Sequence, residues 1–151
     1  MRRVVSLWLP NFATDRLDRQ RRTAACGTSQ ASRSTRSRLE PPVRPPLATI
    51  APGPGGIRVV AASPEAVAAG IGPGLALTEA RAILPNLAVA TADPAGDHRA
   101  LATLANWCSR YTPWTAVDVD PAGPGGGAGI WLDISGCAHL FGGEEALLED
   151  L

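Results

Sequence analysis

The chain contains no lysine: all fourteen basic residues are arginines, and fourteen acids bring the net charge to zero. A neutral total argues for no class of partner. Without a lysine followed by Ser or Thr, and with no helix opening behind it, the glycine-rich run DPAGPGGGAG (120–129) is no P-loop and reads as a connection between strands. Three cysteines, Cys26, Cys108 and Cys137, are too few and too far apart for a disulfide framework. Cys137 and His139 supply only two of the four ligands of a closed zinc site, so no metal is expected from them. No apolar run approaches the roughly 20 residues that cross a bilayer. The opening MRRVVSLWLPNFATDR meets an acid too early for a secretory signal, and a cytoplasmic location is expected.

What is present suits one ordinary soluble domain: 151 residues, 45% of them hydrophobic. Eight of the arginines fall between Arg16 and Arg44, against Asp15, Asp18 and Glu40. Such a segment could meet phosphate, but it lacks the interleaved aromatics of a stacking surface. Residues 20–46 also carry no apolar period, and they read as a disordered basic linker.

Around that linker the pattern alternates. A strand is expected from Arg3 to Leu9, ended by Pro10, then a helix from Asn11 or Thr14 to Leu17. Leu47–Ile50 and Ile57–Ala61, joined by APGPGG, predict a hairpin. Ser63-Pro64-Glu65 starts a helix that Gly70 stops, and Thr78 caps another through Leu84. Leu87–Ala90 is a strand, and Asp93-Pro94 opens a longer helix whose Leu101, Leu104, Ala105 and Cys108 share a face while His98 and Arg99 look outward. Strands follow at Trp114–Val119 and Ile130–Ile134, and a last helix begins at Gly143 with Glu144 and Glu145. That helix stops after about two turns with Leu147, Leu148 and Leu151 in need of packing, as in a piece of a longer chain. Asp133, just before Ser135-Gly136, reads as a turn cap. Trp107, Trp114 and Trp131 read as core or subdomain-contact residues.

Three stretches carry a resemblance. VVSLWLPNFATDRL, VVAASPEAVAAGIGPGLALTEARAILPNLAVA, and SRYTPW followed by IWLDISGCAHLFGG resemble the UmuC/DinB-type, Y-family DNA polymerases, above all their divergent, mutagenesis-associated ImuB-like branch. The resemblance implies an α/β (α+β) fold: a palm-like sheet with packed helices over 1–10 and 75–151, interrupted by a small fingers-like subdomain over 11–74 that contains the linker 20–46. Thumb and little finger would follow the last residue. Members that polymerise hold two magnesium ions with carboxylates from two palm strands. Here Trp8 and Pro10 stand at the first-strand positions, and Ala128 and Gly129 at those of the Asp-Glu pair. Asp118 or Asp120 could be a displaced acid if the glycine loop is an insertion. The triphosphate-gripping Tyr and Arg of the family correspond to Pro64 and Val67, and the aromatic ribose gate to Ala13. Trp8 would stand where template or nucleotide passes in an active relative.

The resemblance therefore implies a non-catalytic, polymerase-like accessory in damage-induced translesion synthesis, with no catalytic, nucleotide-binding or metal residues and no cofactor. It would contact damaged or primer-template DNA and serve a hub joining the sliding clamp, an error-prone polymerase of the replicative type and a RecA-like partner. Two alternatives stay open: a nucleotidyltransferase with unusual magnesium ligands, or a remnant that is only an interaction module.

Overall fold

A computed structural model of the protein describes residues 2–28, 44–119 and 127–151. In chain order the elements are β1 (Val4–Leu9), α1 (Phe12–Thr28), β2 (Leu47–Gly53), β3 (Gly56–Ala62), α2 (Pro64–Ala68), α3 (Leu77–Ile83), β4 (Ala88–Thr91), α4 (Pro94–Cys108), β5 (Thr115–Val119), β6 (Ala128–Asp133), a 3-10 turn (Ala138–Phe141) and α5 (Glu144–Asp150). They form two compact units, one of Met1–Pro10, Asp93–Gly123 and Gly127–Leu151, the other centred on Asn11–Ala92. No helix among the described residues is long and apolar enough to cross a membrane.

The second unit holds a sheet of order β3-β2-β4, in which β2 runs antiparallel to β3 and parallel to β4. Its hairpin turns where expected, with Gly55 and Gly56 at φ +77° and +126°, conformations open to glycine at little cost. The Ser63 hydroxyl accepts the Ala66 N–H at 3.4 Å and the Leu47 N–H at 3.2 Å, so it caps α2 and ties the helix start to β2. α3 begins one residue before Thr78. Ala76 takes the cap position, and Glu79 reaches back to its N–H at 3.3 Å, a bond that substitutes for the expected threonine cap. The apolar faces meet in a core of Ala48, Val59, Ala62, Ala66, Ile71, Ala80 and Leu87. Residues 75–92 thus pack in one unit with residues 11–74.

Helix α1 continues eleven residues beyond Leu17. Arginine, glutamine and alanine are good helix formers that need no buried face, and Arg22 donates to Asp18 one turn earlier at 3.1 Å through Nε. The amino-terminal part of the expected linker is therefore helical through Thr28, while residues 29–43 lie outside the described residues.

The first unit carries a sheet of order β1-β6-β5, antiparallel throughout. α4 starts as expected: the Asp93 carboxylate accepts the Gly96 N–H at 2.9 Å, and Pro94 occupies the first turn. It packs on β5 and β6 and buries Leu101, Ala105 and Cys108, while Ile130 and Leu132 of the central strand are fully buried. Thr112 binds the ends of β5 and β6 together, donating to the Asp133 carbonyl at 2.5 Å and accepting the Trp114 N–H at 3.2 Å. α5 starts at Gly143 and buries Leu147, and Tyr111 donates its hydroxyl to the Asp150 carboxylate at 2.8 Å. Leu148 is exposed.

Candidate functional site

Side chains alternate across a strand, so the three strands of the first unit sort their residues onto two faces. Val5, Leu7 and Leu9 lie with Ile130 and Leu132 on the covered face, and Val4, Ser6 and Trp8 point to the open one. Register then fixes the rows of the open face. Trp8 stands opposite Gly129, and Gly129 opposite Asp118. The next row is Ser6, Trp131 and Ala116, and Val4 pairs with Asp133 beyond it.

The Trp8 ring rests against the glycine ribbon of β6. A methyl group at Gly127 would stand 2.3 Å from its Cζ2 and 2.6 Å from its Cη2, and one at Gly129 would stand 3.6 Å from its Cε3. Trp131 donates its indole N–H to the Asp118 carboxylate at 3.1 Å. Along the same face, Arg2, Val4, Trp114, Thr115, Ala116, Trp131 and Asp133 line an open groove of about 450 Å³. Asp133 caps its turn as expected, accepting the Ser135 N–H at 3.0 Å. The Ser135 hydroxyl, then that N–H, and more weakly Arg2, hold its carboxyl below the ordinary value of 3.8 despite desolvation.

Trp8 and Gly129 thus share one row of the open face, while Ala128 faces Leu9 and is 6% exposed. Pro10 lies just past the strand and is exposed. Asp118 completes the row of Trp8 and Gly129, and Asp120 lies outside the described residues. A pair of magnesium ions needs several convergent oxygen ligands. Asp118 is one acid, already bonded to an indole N–H, and Asp133 is four residues from Gly129 along β6, about 13 Å at strand rise. The donor set among the described residues does not fit a two-metal centre. Among the described residues no three His, Cys, Asp or Glu side chains are grouped to hold a metal ion.

In the second unit Ala13 sits in the first turn of α1, Pro64 at the first position of α2, and Val67 on the exposed side of that helix. Pro64, Glu65 and Ser63 border a cavity of only about 10 Å³ with Thr14, Asp15, Asp18 and Arg44, room for one water at most. One Glu65 carboxylate oxygen there is buried without a hydrogen-bond partner among the described residues. The hydrogen bond from Arg22 holds the Asp18 carboxyl below 3.8. That space is too small for a triphosphate, and the guanidinium that borders it, Arg44, is paired with Asp15 at 3.4 Å and Asp18 at 3.9 Å.

Trp107, Trp114 and Trp131 do not lie in the core. Trp114, Trp107 and Trp131, expected in the core or at a subdomain contact, are 72%, 51% and 45% exposed, and Trp8 is 52% exposed. The signal was available for Trp131, which alternates with buried Ile130 and Leu132 and so must face the other way.

Residues 30–151 match the impB/mucB/samB family. Over 82 residues, 54% of this chain, the sequence is 44% identical to Protein ImuB of Caulobacter vibrioides strains NA1000 / CB15N and CB 15, and spans 16% of the length of those relatives. Among solved structures, an insertion ternary complex of Dbh DNA polymerase superposes with a TM-score of 0.64 at 12% identity, covering 98% of this chain and 37% of that one. A post-insertion binary complex of the same polymerase gives 0.65 at 13% identity, covering 97% and 36%. The likeness carries the fold: two small sheets with packed helices that resemble the palm and fingers region of the Dbh polymerase.

Proposed function

Because the chain belongs to the impB/mucB/samB family, we propose that it is a non-catalytic, polymerase-like platform of DNA repair that contacts primer-template DNA during damage-induced, error-prone translesion synthesis. One observation carries the reading. The row in which the resemblance calls for metal-binding carboxylates holds an indole, a glycine and a single acid: Trp8, Gly129 and Asp118. Pro64 and Val67 at the triphosphate positions, and Ala13 at the gate, support it, since none offers a phosphate or ribose the expected contact. Without a metal cage the polymerase frame retains shape, and shape suffices for a scaffold. The longer protein would act as a hub in the cytoplasm, bringing an error-prone polymerase of the replicative type to the sliding clamp with a RecA-like partner.

Primer extension with magnesium or manganese tests the reading, with no template-directed incorporation expected. Asp118 favours one competing reading, an unusual nucleotidyltransferase, because its carboxylate stands on the open face beside Gly129. Incorporation that disappears in Asp118→Ala or Asp120→Ala would establish that enzyme and overturn the scaffold.

A further inference from the structure

We propose that Trp8 is a stacking platform for an unpaired DNA base, so that the strand position a polymerase would give to a metal ligand has become a binding residue. The inference rests on the reading that this domain contacts DNA. Its geometric basis is independent of that reading. The indole lies against Gly127 and Gly129, which put no side chain of their own between ring and strand, and a β-carbon at 127 would collide with the ring at 2.3 Å. An aromatic ring held on one side and 52% exposed offers a planar surface to a planar ligand.

The rest of the face suits a nucleotide strand. Trp131 and Trp114 continue the aromatic surface, and Arg2, whose side chain is 90% exposed, stands at the groove they line. Rings followed by a guanidinium complement bases followed by phosphate. A cationic side chain from a protein is the competing planar ligand, and it would seek unengaged carboxylates. The two acids of the face among the described residues already carry donors, Asp118 from the Trp131 N–H at 3.1 Å and Asp133 from the Ser135 N–H at 3.0 Å with Arg2 at 3.9 Å. The face therefore favours a base over a cation.

Binding of a fluorescently labelled oligothymidylate to the 151-residue chain tests the proposal, with Trp8→Ala, Trp8→Phe and, on α4, Trp107→Ala as a control. Urea midpoints of each variant verify folding, which the exposure of both side chains should preserve. Loss of one stacked base should weaken binding roughly 5- to 150-fold in Trp8→Ala. Trp8→Phe should recover most of it and Trp107→Ala should match wild type. The slope of log affinity against log salt should stay unchanged in Trp8→Ala, because no phosphate contact is lost. Wild-type binding that Trp8→Ala leaves intact overturns the stacking role alone. A wild-type chain that fails to bind the oligonucleotide at low salt overturns the DNA-contact reading and the stacking role with it. Binding of oligoarginine instead, sensitive to Trp8→Ala, overturns the proposal in favour of a basic protein partner.

Discussion

Leu132→Ala should be among the most damaging single substitutions in the first unit. Leu132 is fully buried in β6, the central strand, with Val5 and Thr115 as its cross-strand neighbours. Removing its isopropyl group leaves a cavity that two flanking strands and the packed α4 cannot readily close, and such Leu→Ala changes cost about 3–5 kcal/mol. A unit well short of one hundred residues has a total stability on the order of 3–10 kcal/mol. The variant should therefore lose a third of that stability or more. Urea unfolding followed by tryptophan emission measures the loss, since Trp8 and Trp131 report directly on this sheet. With a urea slope of about 1–3 kcal/mol per molar, the midpoint should fall by at least roughly 1 M. Leu140→Ala, 71% exposed on the 3-10 turn, is the comparison, and its change should stay within about 0.5 kcal/mol. A midpoint shift no larger for Leu132→Ala than for Leu140→Ala would refute the assignment of the sheet's buried face, and with it the placement of Trp8 and Trp131 on the open one.

Other outcomes follow from single contacts. Asp93→Ala removes the carboxylate that caps the Gly96 N–H, and α4 should lose about 1 kcal/mol, read as a lower thermal midpoint by circular dichroism. Asp133 has a depressed carboxyl in the folded state, so its contribution is present above the ordinary carboxylate value of 3.8 and is lost as pH falls through the lower folded value. Asp133→Asn should flatten the acid limb of stability against pH below about 4, and an unchanged limb would count against the Ser135 bonds. Cys108 is 1% exposed and burial pushes its thiol up. In a chain carrying Cys26→Ser and Cys137→Ser it should react with a disulfide reagent only as the unit unfolds, whereas prompt labelling of the native chain would contradict its burial.

Local chemistry made much of the architecture legible. The hairpin of β2 and β3 follows from glycines able to take positive φ, the starts of α2 and α4 from Ser63-Pro64 and Asp93-Pro94, and the turn after β6 from Asp133 beside Ser135. These are interactions between residues a few positions apart, which a linear pattern records. The same reasoning placed Trp8 and Gly129 at positions the family resemblance marks for metal ligands. It stopped α1 too early because it looked for an apolar period, which an exposed, arginine-rich helix does not need.

Tertiary structure decided how those positions combine. Trp8 and Gly129 are more than one hundred residues apart, and only the β1–β6 register makes them neighbours in one row with Asp118. The register also turns Ala128 inward and Gly129 outward, a difference of one residue that the chain's composition cannot express. A tryptophan and a glycine read separately are a hydrophobic residue and a flexible one. In the folded chain the ring lies over Gly129 at ordinary contact distance and occupies the volume a side chain at Gly127 would need, so Trp8 and Gly127 are interdependent.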